Sequence, residues 1–233
     1  MITITQFRVY LLALILSIFL FPSDATAQVC GTTIAAYPYA ESFEGAGAGG
    51  IGAWVQDAGD NLNWISRTGQ TPSGGTGPSN ASHLNYYLFI ESSGAGTGYP
   101  NMTAFLNSPC FNLAGLTNPE FSFDYHMYGS NMGTLKIQVS TDNGASWADT
   151  GWTRTGQQQA PESAAWLSAT INLSAYAGST IKLRFHGTTG NGYQSDMSID
   201  NVNLFVTVVS CTSTVNTFPY YDGVVANHVG AWI

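Results

Sequence analysis

The chain has 233 residues, a formal net charge of −8, only 9% charged residues and 13% aromatic residues. That length allows one or two domains. With 6 Lys and Arg against 14 Asp and Glu, no basic patch is available to neutralise phosphates, which argues against nucleic acid as a partner.

Taken from the start, Arg8 precedes a nearly unbroken apolar run from Val9 to Phe21, and Ala25-Thr26-Ala27 follows as a small-x-small site. This pattern predicts a secretory signal peptide over 1–27, cleaved after Ala27. The alternative, an uncleaved anchor, has an apolar core short for a bilayer. No later run could be a transmembrane helix, so the remaining chain is expected to be secreted or held at a cell surface. Beyond the leader the basic residues are Arg67, Lys136, Arg154, Lys182 and Arg184. The composition there is rich in Gly, Ser, Thr, Asn and aromatics, with no long helical period. Short strands and many turns are the expectation: an all-β sandwich or barrel.

Cys30, Thr33 and Pro38 recur as Cys211, Thr214 and Pro219 at one constant offset, and Gly52-Ala53-Trp54 recurs as Gly230-Ala231-Trp232 at a slightly shorter one. This is read as an internal repeat. The organisation expected is one β domain over 28–209 and the truncated start of a second unit over 210–233, too short to bury a core alone. Within the complete unit only Cys30 and Cys110 are available, and an oxidising compartment would pair them. Cys211 then belongs to the next unit. The alternative is that Cys211 pairs back with Cys30 or Cys110.

Gly45 to Gly52 and Gln70 to Asn80 read as loops, and Tyr86 to Glu91 and Met102 to Asn107 as strands. Phe121, Phe123, Tyr125 and Met127 alternate with polar residues, as do Leu135, Ile137 and Val139, with Gly129 to Gly133 between them. This reads as a hairpin at the centre of a sheet. Trp166 to Leu173, Ile181 to His186 and Met197 to Val206 complete the set. The total of about nine or ten strands is enough for two packed sheets.

Several motifs carry chemistry. Ser140, Asp142, Gly144 and Trp147 fit S-x-D-x-G-x-x-W, similar to the Asp-box hairpin of sialidase propellers. A single box is expected to be local structure: Asp142 on turn amides, Gly144 at positive φ, Trp147 folded back. Glu44, Asp57 and Asp60, with Glu41 nearby, lie near the start and Asp196 and Asp200 near the last strand. If the first and last strands are neighbours these carboxylates would converge, and such a group without lysine or arginine invites a structural Ca²⁺. The bland reading is solvated carboxylates and turn caps. His83, His126, His186 and His228 are scattered, and neither H-E-x-x-H nor G-x-S-x-G occurs. His126 is expected to be a hydrogen-bonded structural residue rather than a ligand. Asn80, Asn101 and Asn172 begin N-x-S/T triplets.

Phe43-Glu44, Gln56-Asp57 between Trp54 and Trp64, and Thr71-Pro72-Ser73 through Pro78 with His83 run in a familiar order. Tyr87 to Ser93, Leu106 to Pro109, Tyr125-His-Met-Tyr-Gly129 with Gly133-Thr-Leu135, and Asp200-Asn-Val202 follow. Together they resemble the MAM domain family over roughly Tyr39 to Phe205. The resemblance implies a two-sheet antiparallel jelly roll, similar to the concanavalin-like lectins and glucanases. It also implies a non-catalytic extracellular adhesion module with protein or glycan partners, often by homophilic contact. Some members hold a cation near the first and last strands, which here would match Glu44, Asp57 or Asp60 with Asp196 or Asp200. Animal members carry further cysteines that this chain lacks, so their disulfide scheme does not transfer. A leader followed by repeated cysteine-poor units points to a bacterial surface or secreted protein. The alternative function is a carbohydrate-binding module attached to a secreted hydrolase. Its support is the supply of rings (Trp54, Trp64, Trp152, Trp166, Tyr193), which stack on sugars if exposed and pack the core if not.

Overall fold

The computed structural model describes residues 30–45 and 50–207. They form two packed β-sheets. The strands are β1 (Thr33–Ile34), β2 (Tyr39–Glu41), β3 (Val55–Gln56), β4 (Trp64–Arg67), β5 (Tyr87–Ile90), β6 (Thr103–Asn107), β7 (Cys110–Asn112), β8 (Pro119–His126), β9 (Thr134–Ser140), β10 (Ala148–Thr155), β11 (Leu167–Asn172), β12 (Thr180–Thr188) and β13 (Ser198–Val206). A single turn of 3₁₀ helix, Ser174–Tyr176, precedes β12.

One sheet has β12 at its centre. It pairs with β9 along one side, with β6 and β7 along the other, and β10 extends the sheet beyond β9. The second sheet runs β11-β8-β13-β5-β4, with β2 also on β13. All ladders are antiparallel except β1, which lies parallel to β7. The all-β jelly-roll-like sandwich expected from composition and alternation is what forms.

Alternation decides which side chains meet between the sheets. Ile181, Leu183 and Phe185 of β12 and Leu135, Ile137 and Val139 of β9 point inward, against Phe121, Phe123 and Tyr125 of β8 and Ile199, Val202 and Leu204 of β13. Phe185 packs on Phe123 with ring centroids 4.9 Å apart and planes perpendicular. Trp54 and Trp64, both only 2% exposed, close the same core. Each such ring contributes about 1.5–3 kcal/mol by leaving water.

The expected central hairpin is not one. β8 bonds to β11 and β13 in one sheet, while β9 bonds to β10 and β12 in the other. The stretch from Met127 to Gly133 crosses between sheets, with Met127 and Met132 buried in the crossing. Period-two alternation specifies an inward face but not the neighbouring strand, and both strands face the same core. Cys30 and Cys110 are bonded to each other, which removes the alternative pairing with Cys211. The leader, Cys211 and the repeat beyond Ser210 lie outside the described residues. Among the described residues no helix is long and apolar enough to cross a membrane.

Candidate functional site

Because Ile181, Leu183 and Phe185 turn inward, Lys182, Arg184, His186 and Thr188 of β12 must turn outward. Register aligns them with the outward residues of both neighbours. Arg184 lies between Asn107 of β6 and Gln138 of β9, and His186 between Phe105 and Lys136. Three of the five basic side chains beyond the leader thus share one sheet face.

Arg184 is held from every side. Its Nη2 donates to Asp57 Oδ2 at 2.7 Å and its Nε to Asn107 Oδ1 at 2.8 Å. Asn107 also donates to Asp57, at 3.1 Å. The guanidinium lies 4.0 Å from the ring centre of Trp147 and 4.5 Å from that of Phe105, the stacking that a planar delocalised cation favours. Next along the face, His186 Nδ1 and Gln138 Oε1 are 3.1 Å apart, Gln138 donates to Asp149 at 2.9 Å, and Lys136 pairs with Asp149 at 3.2 Å. Burial works against ionisation of Asp57, but hydrogen bonds from Asn107 and the Gly59 amide, with the Arg184 charge, outweigh it and hold the carboxyl below its usual range. Burial, then the Lys136 and Arg184 charges, bring His186 down to about 4, so it is neutral at pH 7. The face therefore offers fixed, already paired polar groups with neighbouring rings. Such an arrangement suits recognition, and at its end Thr188 Oγ1 lies 3.4 Å from His186 Nε2.

The Asp box supplies part of it. Ser140 Oγ accepts the Gly144 amide at 2.7 Å, and Asp142 accepts the Ser146 amide at 2.9 Å. Gly144 sits at φ +92°. The turn folds Trp147 back under Arg184, so the local reading of this motif holds and the turn has a role in the face.

The five carboxylates expected to converge are divided between the two sheets. Asp57 is paired with Arg184, and Asp60 beside it accepts the amide of Phe105. On the outer side of the other sheet Asp200 accepts the amides of Ser82 and His83 at 2.9 and 2.8 Å, and Glu44 accepts those of Asn85 and Tyr86 at 2.7 and 2.5 Å. Between these two clamps Leu84 stands two-thirds exposed at φ +57°. Asp196 is buried against Ser92. Among the described residues no three His, Cys, Asp or Glu side chains are grouped to hold a metal ion. The physical reason is that backbone amides and Arg184, none of which sequence spacing reveals, already occupy these carboxylates.

Asp124 of β8 lies directly opposite Asp200 of β13, and Ser82, Ser168 and Asn201 all donate to it. Burial raises Asp200 to about 6 despite its amide donors. His126 is fully buried, with its ring edge against Trp166 at 5.6 Å. No ring nitrogen meets strict hydrogen-bond geometry, but the Ala164 backbone lies close enough to act on the ring as a hydrogen-bond partner, in keeping with a buried structural residue. Burial lowers it to about 4.

The family model "MAM domain, meprin/A5/mu" matches residues 42–212. The chain belongs to the MAM domain family. Human MAM domain-containing glycosylphosphatidylinositol anchor protein 2 is 29% identical over 201 residues, covering 78% of this chain and 20% of that protein. The mouse protein of the same name is 31% identical over 193 residues, covering 74% and 19%. The chain thus spans about a fifth of the length of these relatives. Among solved structures, the K1 cleaved adhesin domain of Lys-gingipain from Porphyromonas gingivalis superposes with a TM-score of 0.52 at 18% identity, covering 74% of this chain and all of that one. The K2 cleaved adhesin domain does so with 0.52 at 14%. These two likenesses bear on the fold alone.

Sequence reasoning placed Asp57 and Asp60 in a possible site but missed Arg184, Asn107, Phe105, Gln138 and His186. The outward positions of β12 and β6 were readable from the alternation of Ile181 to His186 and Met102 to Asn107. Their alignment depends on strand order, which was not.

Proposed function

We propose that this MAM domain is a non-catalytic extracellular interaction module, and that it engages a protein partner through the outward face of the β12 sheet around Arg184. The observation that carries this is the Arg184 cluster. A cation stacked between Trp147 and Phe105 and paired with Asp57 forms a rigid, chemically mixed surface of the kind that gives specificity at low ordering cost. The family assignment and the surface anchor named in its relatives support an extracellular or cell-surface location. On this reading the chain is secreted, from a bacterial source, and its MAM unit is one of a repeated series.

The carbohydrate-binding alternative has lost most of its rings. Trp54 and Trp64 are in the core, Trp152 packs on Phe123 and Tyr125, and Trp166 packs on Tyr87 and His126. Tyr193, 49% exposed, is the one of the five left open.

The test uses beads coated with the purified chain and scored for attachment to cells of the producing organism. Attachment that is lost on the double substitution Lys136→Ala and Asp149→Ala, a partly exposed pair whose removal costs little stability, is the expected result. Hydrolytic turnover by the chain, or attachment indifferent to the double substitution, sinks the reading.

A further inference from the structure

Six non-glycine residues among those described have φ in the left-handed region: Phe43, Leu84, Asn101, Asn118, Asn143 and Asn201. Asparagine tolerates that conformation, because its short amide bonds to nearby backbone, and a bulky apolar side chain does not. Four of the six are therefore ordinary. Phe43 is only 1% exposed, so the ring it buries offsets the backbone cost. Leu84 is neither tolerant nor buried. It holds φ +57° while 67% exposed, and it belongs neither to the core nor to the apolar residues packed against it. A lone exposed leucine needs no explanation. One kept in a conformation that leucine disfavours does.

The loop is built to keep it there. Asp200 accepts the amides of Ser82 and His83 on one side of Leu84, and Glu44 accepts those of Asn85 and Tyr86 on the other. A side chain whose backbone is fixed on both sides has little freedom left to lose on binding. The charges around it are of one sign. Asp124 faces Asp200 across the ladder and accepts the Ser82 hydroxyl. β2, β8, β11, β13 and the 79–86 segment contain no lysine or arginine. Arg67 of β4, on the same sheet, donates to Gln70 O. Both ion pairs of the described residues lie on the β12 sheet, so the carboxylates around Leu84 have no lysine or arginine partner.

We propose that Leu84 is the anchor of a second interaction surface, on the opposite sheet from Arg184, and that it inserts into an apolar pocket of a partner protein rimmed by lysine or arginine. The pocket supplies what the fold withholds. It takes the leucine out of water, and its rim brings positive charge to Glu44 and Asp124. The strained backbone and the four amide bonds then present the side chain already in its bound position, at a cost the folded domain carries without return. This surface does not depend on the β12 face, so either can fail alone.

The test sets stability against binding at one position. The full chain is made with a diazirine analogue of leucine at position 84, mixed with intact cells of the producing organism and irradiated, and the adduct is mapped by mass spectrometry. The adduct is expected on another protein, at an apolar residue bordered by lysine or arginine. Its yield should fall several-fold as sodium chloride rises from about 50 to 500 mM. Unlabelled wild type and Leu84→Met, each in excess, should suppress it, and Leu84→Asn should not. Leu84→Asn should also melt about 2–4 °C above wild type, because asparagine accepts the left-handed φ. That rise shows that the variant folds and that the leucine is kept against stability. No adduct, or an adduct on a second copy of this chain, on a glycan or on a lipid, overturns the proposal. So does an adduct indifferent to salt, or a Leu84→Asn chain that competes as wild type. A Leu84→Asn chain that melts no higher than wild type overturns it too, since the leucine would then serve the fold.

Discussion

The Ser92 amide donates to one oxygen of Asp196 at 2.9 Å, and the Ser92 hydroxyl shares its single proton between that oxygen, at 2.8 Å, and Tyr193 O, at 2.6 Å. The other oxygen, Oδ2, is buried and outside strict hydrogen-bond geometry, with the Thr71 side chain as the nearest further donor acting on the carboxyl. Burial raises this carboxyl to about 6, against the Ser92 bonds, which lower it.

The sign follows from proton counts. A carboxyl that is raised in the folded state binds its proton more tightly there than in the unfolded chain. Its contribution is fully present below about pH 4 and is lost as pH rises through 6. Asp196→Asn keeps Oδ1 for Ser92 and replaces the buried Oδ2 by an uncharged amide. It should raise stability at pH 8 by roughly 1–3 kcal/mol and have little effect at pH 4. Urea unfolding at both pH values measures this, and a variant less stable than wild type at pH 8 would count against it.

His126 acts in the opposite direction. Its folded value of about 4 lies below the ordinary 6.5, so stability is lost as pH falls through that interval. His126→Phe should flatten this acid limb, because an apolar ring has no buried nitrogen to protonate. His126→Ala should cost about 2–4 kcal/mol through the cavity left beside Trp166. The comparison is made between variants, since Asp196, Asp200 and His186 titrate in the same range.

Arg184→Lys keeps the charge but loses the fork to Asp57 and Asn107 and the stacking on Trp147 and Phe105. A loss of about 1–2 kcal/mol is expected, with a smaller loss for Arg154→Lys, whose guanidinium is 5.0 Å from a single ring. Chemical denaturation of the two variants side by side decides it. Equal losses would mean that the clamp contributes nothing.

Replacing Cys30 and Cys110 together by serine should cost about 2–5 kcal/mol, since the bond closes a loop with a sequence separation of 80. Calorimetry of the double variant, or of the wild type with and without reductant, gives the value. Unchanged melting would show that β1 is anchored by its ladder alone.

What could be read from the sequence was whatever is local. The faces of β8, β9 and β12 follow from alternation, the Asp box closes within eight residues, and the Cys30–Cys110 pairing needed only a count of candidates. What could not be read depends on strands far apart in the chain. The Phe121–Val139 stretch looked like a hairpin because both halves bury apolar side chains in one core. β10 escaped notice because Ala148-Asp-Thr-Gly-Trp-Thr-Arg-Thr155 has one large apolar residue, the half-buried Trp152, and otherwise exists by pairing with β9. Arg184 and Asp57 are 127 residues apart, so no spacing rule could join them. The carboxylates looked available for a cation because the amides that satisfy them leave no mark on composition.

The bond between Cys30 and Cys110 also sets how this domain would respond to being pulled. Tension entering at Cys30 passes directly to Cys110 in β7, and everything between them, including β2 to β6, is bypassed. With a sequence separation of 80, the segment held out of the stretched length amounts to about 280 Å of extended chain. An oxidised domain can therefore pay out only the portion after Cys110 when it yields. A reducing environment would add the stored portion, so the reach of the chain under load is set by the redox state of its surroundings.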